Sequence, residues 1–537
     1  MQLGNRLSQH QFSIISNANV PRSKFDRSFA MKTTFDFDLL TPIFVDEILP
    51  GDVCNLQVNT FARLATQKVP IMDNLYLDFF FFFVPNRLVW TNWERFNGAQ
   101  DDPDDSTSFI MPITAADPAT GVVVGTLYDH FGIPTGINSL EFQNLPGRAY
   151  NLIWNEWFRD ENILDSVPVD KDNGPDAITD YVLLPRGKRH DYLTACLPWP
   201  QKGPAVELPL GTYAPVIGIG KYDQSFGASA NVYDSAGNHP TYAAAAEINP
   251  AVASTTFYVE RNPDATGYPN IRADLSNATA ATINQLRQAF SVQSLYELDA
   301  RGGTRYVEIL KAHFGVISPD FRLQRPEYLG GGSTKINSHP VANTNGTSGG
   351  NVQANLAAFA TQSTQGESVG FSKSFVEHGY VIGLAAARAD LTYQQGLNRM
   401  WSRSTRFDFY WPKLSELGEQ AVLNKEIYAQ GPAVTTPGLS DPDTFGYIPR
   451  YDEYRYKPSE IHGEFRSTFA TSLDMWHMSE EFMACPVLES DFINSNTPID
   501  RALAVTGAPQ LLFDSYFRYI HARPMPTYSV PASLGRF

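Results

Sequence analysis

Five consecutive phenylalanines, Phe79 to Phe83, constrain the fold of this chain more than any other feature of its sequence. In a β-strand, neighbouring side chains point to opposite faces, so Phe79, Phe81 and Phe83 share one face and Phe80 and Phe82 share the other. Each phenylalanine buries roughly 150–250 Å², and five of them represent on the order of 20 kcal/mol of burial as an upper bound. Both faces of this strand therefore need a cover.

The two faces of this strand are expected to pack against different parts of the structure. We expect Phe79, Phe81 and Phe83 to lie in the core of a β-sandwich, against a second sheet. We expect Phe80 and Phe82 to lie under inserted loops or close to another subunit. The alternative is that both sets pack within one small sandwich.

The rest of the chain indicates a mainly β fold. Alternating apolar residues predict strands at residues 28–38 and 54–64, joined to the phenylalanine strand by turns, which favours antiparallel pairing. After residue 370 the strand pattern returns, at residues 375–393, 406–411 and 461–478. The prediction from the residues is an antiparallel jelly roll, a β-sandwich with very long inserted loops that contain short helices.

The predicted organisation is an extended arm at 1–28 and one jelly-roll domain at 29–537. Insertions occupy about 97–370, and the C-terminal tail 515–537 is basic and extended. Residues 211–280 are rich in Gly, Ala, Asn, Ser and Tyr, a composition typical of adaptable recognition loops. We expect a variable surface insertion there, with Tyr222, Phe226, Tyr233 and Tyr242 as its candidate contact residues. A surface loop without a role in recognition is the alternative.

Charge is unevenly distributed along the chain. The formal net charge is −16, but residues 1–32 carry +4 and residues 515–537 carry +3, which leaves −23 between them. Phosphate neutralisation needs Lys and Arg, so we expect both ends to face a nucleic acid in the interior of a shell. Solvated tails on an acidic enzyme are the alternative. The candidate nucleic-acid-facing residues are Arg6, Arg22, Lys24, Arg27, Lys32, Arg518, Arg523 and Arg536.

The visible histidine–carboxylate pairs, such as His190 with Asp191 and His462 with Glu464, match no spacing with a known catalytic mechanism, so the chain is not predicted to be an enzyme. No cofactor is predicted. Calcium is the one candidate ion, for the acidic loop with Asp101, Asp102, Asp104 and Asp105, and a solvated loop is the alternative. Three cysteines without metal-like spacing fit a reducing compartment. The sequence has no apolar run of about 18 residues, so membrane insertion is not expected.

Several long blocks resemble the major capsid protein of gokushoviruses, small tailless phages of the Microviridae with single-stranded DNA. The blocks are VPIMDNLYLDFFFFFVPNRLVW at 69–90, LPGRAYNLIWNEWFRDENI at 145–163, ARGGTRYVEILKAHFGVISPDFRLQRPEYLGGG at 300–332, EHGYVIGLAAARADLTYQQGL at 377–397 and the C-terminal MPTYSVPASLGRF. They are spread over nearly the whole chain.

The resemblance implies a viral, eight-stranded antiparallel jelly roll. It implies a virion protein that forms a T=1 icosahedral shell around a circular single-stranded DNA genome. It also implies a homo-oligomer, a small basic DNA-packaging protein as partner, and assembly in the cytoplasm of a bacterial host. An inserted loop of the family projects around the threefold axes, and we expect 211–280 to be that loop and to contact a host cell-surface receptor. A jelly-roll carbohydrate-binding or carbohydrate-active protein is the alternative from another functional class.

Overall fold

The computed structural model describes residues 22–204, 216–217, 272–273, 283–302, 306–315, 324–342, 356–364, 369–432, 434 and 436–528. The chain divides into two compact units, Met1–Pro200 with Ile317–Phe537, and Gln201–Val316. The first unit contains the large sheet. Within the described part of the second unit lie two short strands and two helices.

The strands are β1 Ser23–Asp26, β2 Phe29–Phe35, β3 Thr41–Ile48, β4 Val53–Leu64, β5 Leu75–Pro85, β6 Ile113–Ala115, β7 Glu141–Gln143, β8 Val216–Ile217, β9 Arg272–Ala273, β10 Glu327–Ala342, β11 Leu356–Thr364, β12 Gly370–Ser374, β13 Gly379–Ala389, β14 Glu419–Leu423, β15 Thr444–Pro449 and β16 Leu511–Arg523. The α-helices are α1 Asn86–Val89, α2 Trp93–Phe96, α3 Leu127–His130, α4 Leu145–Trp157, α5 Ile283–Gly302, α6 Tyr306–Phe314, α7 Asn424–Ile427 and α8 Ser490–Ile493.

Ten strands form one large antiparallel sheet. Eight of them follow the order β1-β16-β4-β11-β10-β5-β13-β3, while β2 pairs with β16 and β12 pairs with β4. The sheet changes direction within β10, whose first part pairs with β5 and whose last part, 337–342, pairs with β11. We call β3, β5, β13 and the first part of β10 the covered half, and β1, β2, β4, β11, β12 and β16 the open half. The predicted mainly β jelly roll is confirmed.

Aromatic side chains fill the space between the two halves. Phe79 lies 6.2 Å from Phe513 of β16, measured between ring centroids, and Phe81 lies 5.6 Å from Phe371 of β12. Phe83 belongs to the same buried cluster. One face of the phenylalanine run therefore lies in the sandwich core.

The other face of the run packs under α4 and the residues that follow it. Phe82 is 5.5 Å from Trp157 and 5.9 Å from Phe158, and Phe80 is 5.2 Å from Phe158. These rings contribute to a second cluster on the covered half, which also includes buried residues of α4, β14 and β15. Phe80 and Phe82 thus lie under an inserted segment of the same chain.

The glycine-rich run at 330–332 lies directly opposite the phenylalanines. Gly330, Gly331 and Gly332 pair with Phe81, Phe80 and Phe79. A Cβ atom on Gly331 would overlap the carbonyl oxygen of Phe79, so this position accepts no side chain. The insertion predicted at about 97–370 includes these residues, but β10 and β11 belong to the sheet, and the glycines allow the backbone of β10 to approach that of β5 closely.

Two predicted strands are wrong. Residues 406–411 and 461–478 contain short 3-10 turns, at Arg406–Asp408, Gly463–Phe465 and Asp474–Trp476. The Asp408 carboxylate accepts hydrogen bonds from the backbone N–H groups of Ser404 and Thr405, at 2.9 and 2.7 Å. These local bonds stabilise a turn in place of a strand, although the residue types alternate.

Candidate functional site

The outward face of the open half is the first candidate site. Burial along β4 alternates strictly from Cys54 to Leu64, and β16 alternates in the same way from Leu511 to Tyr519. Inward residues join the core, and outward residues remain exposed. This contrasts with β5 and β13, which are buried on nearly every residue because α4 and its neighbours cover their second face.

Large apolar side chains lie on this outward face. Phe61, Leu512 and Tyr516 are each about half exposed. The register places them on adjacent strands, since Phe61 is opposite Asp514, which stands between Leu512 and Tyr516 on the same face of β16. A groove of about 950 Å³ begins beside them, and its lining includes Phe61, Lys32 and Arg63. An aromatic ring beside cationic groups can stack an unpaired base and hold its phosphate.

Four cationic side chains share the open half. Lys24, Lys32, Arg63 and Arg518 are exposed, whereas the carboxylates beside them are Asp26 and Asp514. Lys32 pairs with Asp514 at 3.0 Å. Hydrogen bonds from Ser28, together with the charges of Arg518 and Lys24, lower the pKa of Asp26, so its carboxylate stays ionised. This small cationic excess stands out in a chain with a net charge of −16.

Two of the predicted nucleic-acid residues serve the fold instead. Arg27 forms two hydrogen bonds with the carboxylate of Asp46 on β3, at 2.5 and 2.8 Å. Arg523 donates to the fully buried carboxylate of Asp52 at 2.8 Å and to the backbone oxygen of Glu47 at 3.0 Å. Both guanidinium groups thus tie β1 and β16 to the segment around β3, which makes them poor candidates for phosphate contacts.

A buried histidine lies between these two ion pairs. His521 Nε2 is 2.9 Å from Asp52 Oδ2, and His521 Nδ1 is 3.2 Å from Arg27. Burial, and then the charge of Arg523, lower the pKa of His521, so the ring is neutral near pH 7. Burial opposes ionisation of Asp52, but hydrogen bonds from Arg523 and the Leu49 backbone outweigh it, and the pKa of Asp52 is lowered.

The remaining predicted residues divide into two groups. Arg22 is exposed and donates to the backbone oxygen of Gly51. The others lie outside the described residues: Arg6, Arg536, Tyr222, Phe226, Tyr233 and Tyr242.

The acidic loop forms local contacts. Asp101 pairs with Arg95 at 3.1 Å, and the Asp105 carboxylate accepts the backbone N–H groups of Asp101 and Asp102, both at 3.2 Å. In the part of the chain that the structure describes, no group of three or more His, Cys, Asp and Glu residues is arranged to hold a metal ion. Cys54, Cys196 and Cys485 form no disulfide bond with one another.

A second surface was missed by the sequence analysis. The segment between β13 and β14 carries Trp401, Phe407, Phe409, Tyr410 and Trp411, all exposed. The alternating residue types at 406–411 predict a strand, and half of the rings in that strand would be buried. The sequence does contain a signal for this surface: RFDFYW is dense in aromatic residues and lies close to Trp401 and several arginines.

None of the helices within the described ranges is long and apolar enough to cross a membrane.

A large antiparallel sheet folded onto itself, with one half covered by insertions and the other open, is the architecture of a viral jelly-roll capsid protein.

Comparison with known proteins identifies the family. The family described as "Capsid protein (F protein)" matches residues 13–533, so the chain belongs to this family of phage capsid proteins. It is 56% identical to capsid protein VP1 of Bdellovibrio phage phiMH2K, over 100% of both chains. It is 43% identical to capsid protein VP1 of Chlamydia phage 1 and 36% identical to that of Spiroplasma virus 4, over 97% of each chain in both cases.

These matches confirm the resemblance to gokushovirus major capsid proteins. The chain is a major capsid protein, a structural component of the virion that assembles into a shell. The carbohydrate-binding alternative is not favoured.

Proposed function

We propose that this capsid protein assembles into a T=1 icosahedral shell around a circular single-stranded DNA genome, and that the open half of its sheet faces that genome. The observation that carries the orientation is the asymmetry of the sandwich. Insertions cover one outward face, whereas the other stays open and combines half-exposed aromatic rings with Lys24, Lys32, Arg63 and Arg518.

Single-stranded nucleic acids bind to surfaces of this type. Cationic side chains neutralise phosphates, and aromatic rings stack unpaired bases with little sequence preference. Phe61 and Tyr516 would supply the rings. The described chain begins and ends on this half, since β1 pairs with β16. The basic residues of the two ends therefore connect to the same surface.

Two further partners and the place of assembly belong to the proposal. Four cations are few for a polyanionic genome, so a separate small basic protein does most of the neutralising. Residues 211–280 contact a host cell-surface receptor. Assembly takes place in the cytoplasm of the bacterial host, which fits three cysteines that form no disulfide bond with one another.

Imaging of the purified protein tests the shell. Expressed alone, with single-stranded DNA and with a basic packaging protein, the chain should give closed particles of uniform diameter by size exclusion and negative-stain microscopy. A small soluble oligomer under all three conditions would contradict the proposal.

A deletion tests the receptor role separately. Particles that lack residues 211–280 should form with normal yield but adsorb poorly to host cells. Normal adsorption of such particles would remove the receptor role and leave the shell untouched.

A further inference from the structure

The aromatic surface consists of Trp401, Phe407, Phe409, Tyr410, Trp411 and Tyr454. The exposed fraction of these side chains ranges from 44% for Trp411 to 71% for Trp401. The rings belong to a long connection between β13 and β14 and to the turn after β15, and none of them is part of the second cluster that β14 and β15 help to form.

The rings are held in fixed positions. The Arg403 guanidinium lies 4.4 Å from the ring centroid of Tyr454 and 5.4 Å from that of Phe409. The Trp411 indole N–H donates to the backbone oxygen of Arg406 at 2.8 Å, and the Tyr451 hydroxyl donates to that of Phe409 at 3.1 Å. A surface already ordered before contact loses little conformational entropy when a partner binds.

Its size matches one side of a protein–protein interface. With 150–250 Å² per aromatic side chain and about half of it exposed, the six rings present on the order of 700 Å². The largest apolar patch of an ordinary monomer is about 300–600 Å², whereas a stable interface buries about 800 Å² on each partner. The area is therefore large for a surface that stays in water and sufficient for a specific contact.

Its chemistry favours protein over nucleic acid. Glu453 pairs with Arg403 at 3.3 Å, and Asp408 lies in the same turn as Arg406 and Phe407. These carboxylates offset the guanidinium charges, whereas a DNA-binding surface keeps its cations free for phosphates. Trp, Tyr and Arg are also the residues that carry most of the binding energy in protein interfaces.

We infer that the aromatic surface is a contact between subunits, and that its occupant is a second copy of this chain. The inference rests on the proposed shell, because only repeated assembly supplies that copy to each subunit. It goes beyond shell formation by naming the residues of one contact.

Hydroxyl-radical footprinting with mass spectrometry tests the contact without a mutation. Dissociated subunits, empty shells and DNA-filled shells are labelled in parallel. Labelling of Trp401, Phe407 and Trp411 should fall several-fold in both kinds of shell relative to dissociated subunits. Protection in filled shells alone would assign the surface to DNA and overturn the inference, as would unchanged labelling in both shells.

Substitution provides the second test. The double variant Trp401→Ser with Phe407→Ser should keep the urea midpoint of the dissociated subunit, because both side chains are exposed, and should lower the yield of shells several-fold. The matched control is Ile110→Ser with Met483→Ser, two exposed side chains outside both the aromatic surface and the open half, for which we expect a normal yield.

A normal shell yield in the folded double variant, or an equal loss in the control, would overturn the inference. If the unmodified chain forms no shells under any condition, the proposed function fails instead, so the two failures are distinguishable.

Discussion

Arg523, near the end of the last strand, donates two hydrogen bonds from Nε and one from Nη2 to the buried carboxylate of Asp52, at 2.8–3.2 Å. The two residues are 471 positions apart in the chain. This ion pair joins β16 to the turn between β3 and β4, and it gives a basic residue in the C-terminal region a structural partner within the chain.

The first prediction concerns this ion pair. Arg523→Ala should lower the free energy of unfolding by about 3–5 kcal/mol, because it removes the guanidinium partner of a buried, ionised carboxylate and leaves only the Leu49 N–H and the neutral ring of His521 beside it. Arg518→Ala, an exposed arginine on the same strand, should change the free energy by no more than about 0.5 kcal/mol. Urea denaturation of dissociated subunits measures both. Equal effects of the two variants would contradict the assignment of Arg523 to the fold.

The second prediction concerns pH. The pKa of His521 in the folded chain lies below its ordinary value of 6.5, because of burial and the nearby charge of Arg523, with Arg27 and Asp52 also facing the ring. The unfolded chain therefore takes up more protons as the pH falls through 6.5, and the folded state loses stability. Asp52 adds to this loss only at more acidic pH, below the ordinary range of its carboxyl.

Urea midpoints at pH 7.5 and 5.5 measure the effect. The midpoint should be lower at pH 5.5, and the difference should shrink in His521→Gln, which removes the titrating group. His130 and His477 also have pKa values lowered by burial, so part of the pH dependence should remain in the variant. An unchanged difference in His521→Gln would show that its titration does not contribute.

The third prediction concerns the strand opposite the phenylalanines. Gly331→Ala should destabilise the fold by about 1–3 kcal/mol, because the new methyl group would overlap the Phe79 carbonyl oxygen and a backbone atom cannot move aside cheaply. Ser363→Ala, at an exposed position of β11, serves as the control and should be nearly neutral. A neutral Gly331→Ala would mean that β10 and β5 do not pair as closely as described.

The fourth prediction concerns DNA binding by the open half. Replacing Lys24, Lys32, Arg63 and Arg518 by glutamine should weaken binding of single-stranded DNA to dissociated subunits. The slope of log affinity against log salt should also become shallower, by about 0.7 for each lost phosphate contact. Fluorescence anisotropy with a labelled oligonucleotide measures both quantities.

A control variant separates a local site from general charge. It replaces four other exposed cations by glutamine: Lys171, Lys413, Arg455 and Lys457. The control should keep the salt slope of the unmodified chain. An equal loss of slope in both variants would mean that DNA responds only to net charge.

Much of the fold was predictable from residue patterns. Strands β2 and β4 follow the alternation of their apolar residues, and β5 coincides with the phenylalanine run, because the inward faces of all three contribute to one continuous core. Strand β10 was not predicted, since Gly330 to Gly332 have the composition of a loop, and only their pairing with Phe79 to Phe81 explains them. The aromatic alternation at 406–411 predicts a strand that does not form. Those rings are exposed on the isolated subunit and contribute little to its core, so the alternation does not reflect burial.

The candidate site was predictable only in part. Lys24, Lys32 and Arg518 were named from the charge of the chain ends, and they do lie exposed on the open half. Arg63 was missed because it lies far from both basic ends of the chain, although the alternation of β4 places it outward. Arg27 and Arg523 were assigned to the genome because their carboxylate partners, Asp46 and Asp52, become neighbours only in the folded chain.

A density map of an assembled, DNA-filled particle tests the central claim most directly. The account predicts a closed T=1 shell in which the outward faces of β4 and β16 line the interior, with DNA density beside Phe61, Arg63 and Arg518. A shell in which this face lies on the outer surface, or is buried against another subunit away from the genome, would contradict it.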